Sequence, residues 1–128
     1  MVDLTQSFGI SASGMKAQAM RLRHVAENVA NVDTPGFRRK LTTFEAAAQG
    51  GDGMVRLGPD RLDPTDLPKI YAPGHPMAGA DGYYAGSNVN IVVELADGRE
   101  AQRSYEANLR MFDQSRQMAR GLIDLLKR

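Results

Sequence analysis

Cysteine is absent from these 128 residues, which excludes a disulfide framework and any thiolate metal site. Its absence leaves the compartment open, because a chain without thiols is indifferent to redox state. Tryptophan is also missing, and aromatic residues make up only 6%. A compact core of this size would hold more aromatic volume, so an elongated shape is favoured. Charge of neither sign dominates: 16 basic against 15 acidic residues leave +1. That balance provides no long-range field to attract nucleic acid or an anionic membrane. No stretch approaches the roughly 18 apolar residues a membrane span requires. No unbroken apolar segment marks a cleavable signal either, since Lys16, Arg21 and Arg23 fall inside the first periodic stretch. A chain of that kind is cytoplasmic by default, unless a dedicated export machine reads its intact N-terminus.

Catalytic chemistry is equally sparse. The two histidines are His24, inside a helical pattern, and His75, between glycine and proline. Neither has a second His, a Cys or paired carboxylates at ligand spacing, so no metal site is predicted. A His75–Asp81 pair could hold a proton in principle, but a structural loop histidine is the simpler account. No serine sits in a strand–turn–helix elbow and no glycine-rich phosphate loop exists. The residues predict neither an enzyme nor a cofactor.

What is present is a pair of heptad seams. In the last third, Leu95, Gln102, Leu109, Arg116 and Ile123 recur every seven residues. Gly98, Tyr105, Phe112, Ala119 and Leu126 form the interleaved series. That 4-3 spacing predicts one long helix with a narrow apolar seam, as in a coiled coil. Glu106 and Arg110, or Asp113 and Arg116, pair charges along the outer faces, each pair contributing a few tenths of a kcal/mol. At the other end Phe8, Met15, Leu22 and Val29 form one series; Leu4, Ser11, Gln18, Val25 and Val32 form the other. Fewer than sixty residues lie between the two seams. The ends therefore pair with each other, with copies of the same chain, or with both.

Taken in order, residues 3–31 read as the first helix, capped by Asp3 or Thr5. Gly9 and Gly14 each weaken it by roughly 1 kcal/mol relative to alanine, which predicts a helix completed by packing against other chains. It ends in a turn, Asn31, Asp33, Thr34, Pro35, Gly36, Phe37, where Pro35 disfavours helix at Thr34 and Gly36 supplies positive φ. A basic run follows, Arg38, Arg39 and Lys40. A phosphate-binding patch is one reading of it, but no aromatic interleaving or glycine-rich cradle accompanies it and a solvated loop is the simpler account; acidic groups of a neighbouring subunit are the favoured functional use. Gly50, Gly51 and Gly53 break helicity. Met54–Leu57 and Pro68–Tyr71 then read as two short strands with turns between them, a small β hairpin or partly irregular lobe. An extended loop runs from Pro73, Gly74, His75 and Pro76 to Asp81, Gly82, Tyr83 and Tyr84. Asn88 or Asn90 caps the last helix. Residues 90–95 are β-branched enough for a strand, but the periodicity favours continuous helix.

The fold class is mainly α: long terminal helices paired as a coiled coil, with a small β-containing lobe between them. Residues 1–32 and 90–128 together make one domain, and 33–89 hold the turn, lobe and loop.

Several of these residues together resemble one family. Ser11-Ala12-Ser13-Gly14-Met15 and Ala26 through Phe37 look like the signature of bacterial flagellar rod, hook and related axial proteins. Ser104-Tyr105-Glu106-Ala107-Asn108 and the leucine-rich last turns resemble that family's C-terminal helix. The loop Tyr71 to Pro76, with Ala80 to Tyr83 and Asn88-Val89, is similar to that of its proximal rod members. Two departures stand out. Gly98 occupies a seam position where the family usually has a large apolar residue, which allows a kink there, and segment 46–68 matches poorly.

The resemblance implies a structural subunit with no catalytic role and no cofactor. It implies export through the flagellar type III apparatus without a cleaved signal, then assembly into the periplasmic rod of the basal body. There it joins the drive shaft that carries torque from motor to hook and encloses the export channel, for cell motility. Its implied partners are copies of itself and rod proteins of the FlgB, FlgF, FlgG and FliE types, with no nucleic acid and no membrane span. Within it Phe8, Met15, Leu22, Val25, Val29, Tyr105, Leu109, Phe112 and Leu126 are expected at helix pairing and subunit contacts. Asn31, Thr34, Pro35, Gly36 and Phe37 are expected to set the turn. His75, Pro76, Asp81, Gly82 and Tyr83 are expected to anchor the loop against the helices or a neighbour. A soluble helical adaptor or export chaperone is the alternative; it needs the seams but neither the turn nor the loop. An amphipathic binder of membrane or nucleic acid is disfavoured by the near-neutral charge.

Overall fold

The computed structural model describes residues 3–46 and 51–127. Gly50 and the final Arg128 lie outside the described residues. Helix α1 spans Leu4–Ala30 and helix α2 spans Ile91–Leu126. At 1.5 Å per residue they are about 40 and 54 Å long. Asp3 caps α1, its carboxylate accepting from the Thr5 amide. Asn90 caps α2 by accepting from the Val92 and Val93 amides, so the β-branched stretch after it is helical. Helix α2 runs unbroken through Gly98.

The helices lie antiparallel against each other. Ser7 meets Ser115, Phe8 meets Phe112, and Arg21 meets Asp97. Farther along, Asn28 meets Glu94. The α2 residues turned toward α1 are Glu94, Gly98, Ala101, Tyr105, Asn108, Phe112, Ser115 and Ala119, all buried or half-buried. This is a 4-3 seam, but only one of its two series is the expected one. The other expected series, Leu95, Gln102, Leu109, Arg116 and Ile123, is exposed throughout. Its place is taken one residue earlier by Glu94, Ala101, Asn108 and Ser115. Small and polar side chains let the helix backbones approach closely, and the large apolar ones point outward instead.

Among the described residues, six short strands lie between the helices: β1 Lys40–Leu41, β2 Phe44–Ala46, β3 Val55–Leu57, β4 Arg61–Leu62, β5 Lys69–Tyr71 and β6 Tyr83–Ala85. They make three antiparallel pairs, β1 with β4, β2 with β3, and β5 with β6. The expected strands at 54–57 and 68–71 both exist, but they do not form a hairpin with each other. Phe44 stands opposite Leu57, and Ile70 opposite Tyr84. The reason is visible at the ends of each strand. Gly58 donates to the Thr43 carbonyl, while Gly86 donates to that of Pro68, so each strand is claimed by a different partner.

Strand β3 packs on α1, with the Val55 amide donating to Ser13 Oγ at 3.1 Å. Helix α1 is thus held between α2 and the strand lobe. Among the described residues the only buried apolar side chains are Ala17 and Ala101, and the largest fully buried ones are Glu94, Asn28 and Ser11. That inverts the usual ordering of a globular interior.

Candidate functional site

A polar anchor sits where the lobe, the end of α1 and the start of α2 converge. Glu94 has no exposure, although it is a carboxylate. Burial of that kind demands partners. The Arg39 guanidinium supplies one through Nε, and Asn28 supplies another, Nδ2 to Oε2 at 3.2 Å. Arg39 also reaches Asp97 at 2.5 Å and Asp63 at 3.7 Å. Burial opposes the charge of Arg39, but Glu94, Asp97 and Asp63 outweigh it and hold the guanidinium above its usual range. Asn28 grips the chain a second way: its amide donates to the Lys40 carbonyl at 3.0 Å and accepts from the Lys40 amide at 2.8 Å.

The basic run is therefore neither a solvated loop nor a set of cations left free for a neighbour. Arg38 donates to the Asp63 and Thr65 carbonyls, Arg39 joins the carboxylate cluster, and Lys40 pairs with Glu27 at 2.6 Å. That hydrogen bond from Lys40 holds the Glu27 carboxyl below its usual range. Asp63 is also lowered, first by Thr65 hydroxyl and amide hydrogen bonds and then by Arg39. Asn88 ties the same region together, accepting from the Arg39 amide and donating to the Asp63 and Thr65 carbonyls.

The cleft beside this cluster holds about 340 Å³ and is lined by Arg21, His24, Asn28, Arg39, Glu94 and Asp97. Its charges are matched internally. Arg21 pairs with Asp97 and Glu100, and His24 lies against Thr42 at 2.6 Å and Asp60 at 3.4 Å. Among the described residues there is no group of three or more His, Cys, Asp or Glu placed to hold a metal. No described helix is long and apolar enough to cross a membrane.

The turn after α1 is tied in at both ends. The Asn31 side chain donates to the Glu27 carbonyl at 2.8 Å, Thr34 Oγ1 donates to Asn31 Oδ1, and Gly36 takes φ +74°. The Gly36 amide then bonds Ala85, and the Asn88 amide bonds Phe37, joining the turn to the exit of β6. Pro35 is half-buried.

The loop between β5 and β6 folds on itself. His75 Nδ1 accepts from the Met77 amide at 3.0 Å, and its ring stacks on Tyr84 at 4.0 Å. Asp81 accepts from the Tyr83 amide, so His75 and Asp81 each serve a backbone turn and make no proton-holding pair. Gly82 takes φ +82°, and a Cβ there would lie 2.8 Å from the Tyr71 ring, which packs on Tyr83 at 5.0 Å. Pro76 is exposed. These contacts join the loop to its own ribbon.

Along the seam, Phe8 and Phe112 meet edge to face at 5.1 Å, and Val25 faces Gly98. Met15, Leu22, Val29 and Tyr105 are half-buried, whereas Leu109 and Leu126 are exposed, Leu126 by 85%. Asn28, Arg39, Glu94, Asn88 and Asp97 were not anticipated as site residues. The available signal was the seven-residue series Glu94, Ala101, Asn108, Ser115, which a search for large apolar residues passes over.

Two family descriptions match the two ends of the sequence, each taking in most of one long helix. Residues 8–38 match "Flagella basal body rod protein", and residues 80–125 match "Flagellar basal body rod FlgEFG protein C-terminal". The class is therefore that of flagellar basal-body rod proteins. The flagellar basal-body rod protein FlgC of Agrobacterium fabrum is 41% identical over 99% of this chain and 98% of its own. Those of Yersinia enterocolitica and Aquifex aeolicus are 33% and 37% identical, each over more than nine-tenths of both chains. The chain belongs to the FlgC family of flagellar basal-body rod proteins, a family of structural rod subunits, and the adaptor alternative falls away.

Proposed function

We propose that this chain polymerises, with copies of itself and with other rod proteins of its class, into the proximal part of the flagellar rod. On this reading it leaves the cytoplasm through the flagellar type III apparatus with its N-terminus uncleaved. It then assembles in the periplasm around the export channel and carries torque from motor to hook. The work is mechanical, and no residue acts as a catalyst.

One observation carries the reading. Of the large apolar residues left exposed, eleven lie on α2: Ile91, Val92, Val93, Leu95, Leu109, Met111, Met118, Leu122, Ile123, Leu125 and Leu126. The seam toward α1 takes mostly small and polar groups with Tyr105 and Phe112, so most of the large apolar residues of α2 are left to bury elsewhere. Burial at roughly 25 cal/mol per Å² against neighbours would supply the stiffness a shaft requires. The Arg39–Glu94 anchor suits the same purpose, fixing the lobe to the hairpin at the point where load would pass between them.

The test is deletion of the gene in its own host. The reading expects loss of rods and of swimming, with both restored by the wild-type chain and the chain recovered in purified basal bodies. Flagella that assemble and turn without it would overturn the reading.

A further inference from the structure

The strand lobe is joined to α1 along much of its length. Asn28 brackets the Lys40 backbone, Lys40 pairs with Glu27, His24 bonds Thr42, and the Val55 amide bonds Ser13. Helix α2 is joined to the lobe in another way. Apart from the covalent chain, and among the described residues, the hydrogen bonds and ion pairs between α2 and the lobe all pass through the Arg39 guanidinium, to Glu94 and to Asp97.

Glu94 and Asp97 stand at i and i+3, on one face of α2. Each also reaches α1: Glu94 accepts from Asn28, and Asp97 accepts from Arg21 at 3.4 Å. The two carboxylates differ in what their loss would leave. Glu94 has no exposure and sits at the buried centre of the anchor. The Asp97 side chain is 32% exposed, and both of its partners have others. Without Asp97, Arg39 keeps Glu94 and Asp63, and Arg21 keeps Glu100. The fold therefore strands no charge if Asp97 is removed. What Asp97 adds is a bridge, with one carboxylate oxygen on the Arg21 of α1 and the other on the Arg39 of the lobe.

We propose that Asp97 is a positioning residue of the shaft: by bridging Arg21 and Arg39 it stops the lobe from turning against α2 when the subunit carries torque. The inference rests on the rod reading and assigns one residue to the transmission of load. On that reading the exposed apolar side of α2 meets neighbouring subunits, so torque that enters through the lobe crosses to α2 at this joint. A guanidinium held by one carboxylate is a pivot. A second carboxylate, one turn farther along the helix and gripped from its other side by Arg21, opposes rotation about that pivot. Arginine suits both ends of the bridge, because its donors form a rigid planar fork where a lysine ammonium would swivel.

The test separates assembly from load. The full chain carrying Asp97→Ala replaces the wild type in its own host; alanine is the best helix former, so α2 is not weakened by the change. The proposal expects the variant in isolated basal bodies at no less than half the wild-type amount, with near-normal swimming in dilute medium. In methylcellulose, where the motor works at high torque, its swimming speed should fall at least threefold below that of the wild type. Asp97→Glu, which keeps the charge, should recover at least half of that loss. Wild-type speed of the alanine variant in methylcellulose overturns the proposal, as does a loss of equal size in both media. So does an Asp97→Glu variant no better than alanine, or an alanine variant scarce in basal bodies, which would make Asp97 a folding residue only. Absence of the wild-type chain from basal bodies would instead overturn the rod reading, and this proposal with it.

The sharing of Asp97 has a readout of its own. Once Asp97 is gone, Glu100 is the ion-pair partner left to Arg21. Glu100→Gln alone should be incorporated like the wild type, while Asp97→Ala with Glu100→Gln should fall at least twofold below either single variant. A double variant incorporated as well as the singles overturns the proposal.

Discussion

Arg39 is hydrogen-bonded to Glu94, and that contact, with the one Arg39 makes to Asp97, fastens the strand lobe to the start of the last helix. Glu94 is fully buried and the Arg39 side chain is 17% exposed, so neither charge can be solvated if the other leaves. Breaking one half of such a pair typically costs about 3–5 kcal/mol, while replacing both halves with apolar groups is near neutral. Arg39→Ala is therefore expected to lower unfolding free energy in urea by that amount. Arg39→Met with Glu94→Leu should recover most of it, and Arg39→Lys should fall between, since it keeps a charge but loses the fork.

Two seam glycines predict opposite responses to the same substitution. A Cβ on Gly14 would lie 2.6–2.7 Å from the Asn108 side chain, itself held by a bond to the Ser104 carbonyl. Gly14→Ala is expected to push the helices apart and lower the melting temperature. A Cβ on Gly98 would meet only Val25, at 3.4 Å, an ordinary contact. Gly98→Ala should therefore raise stability by up to about 1 kcal/mol through helix propensity. Thermal melts of the two variants, side by side, check the sign.

Acid should weaken the anchor. Hydrogen bonds from Lys40 to Glu27 and from Thr65 to Asp63 depress both carboxyls in the folded chain. A depressed folded pKa contributes stability that is present above the unfolded value, about 4 for Asp and Glu, and lost as pH falls through the folded value. Unfolding midpoints in urea should be flat from pH 7 to 5 and fall below about pH 4. Glu27→Gln with Asp63→Asn should flatten that decline.

Among the described residues, Phe8 and Phe112 are the one aromatic pair that joins the two ends of the chain. An edge-to-face contact is worth about 0.5–1.5 kcal/mol beyond the area it buries. A double-mutant cycle with Phe8→Leu and Phe112→Leu should return a coupling of that size. A coupling of zero would mean that the rings do not meet in solution.

The helices, their caps and their pairing were legible because Asp3, Asn90 and the series through Tyr105 and Phe112 state them in local terms. The second α2 series was not, because Leu109 and Ile123 look like seam residues and Asn108 and Ser115 do not. Size and polarity misled here: close helix approach prefers the small residue, and the large one remains for contacts outside the chain. The strand pairing was illegible for another reason. Strands of two or three residues carry almost no periodicity, and their partners are chosen by distant contacts such as Ser13 with Val55. The basic run misled by composition, since nothing adjacent to Arg39 reveals carboxylates at positions 63, 94 and 97.

The account's central claim is that the two ends of one chain form the antiparallel hairpin from which the rod is built. Ser7 Oγ and Ser115 Oγ lie 2.7 Å apart, and the chain has no cysteine of its own to interfere. We would replace both with cysteine in the full chain, oxidise mildly, and examine the protein free and in isolated basal bodies. The account predicts a disulfide within each single chain in both settings. Bonds formed only between chains, or none at all while the variant still assembles, would contradict it.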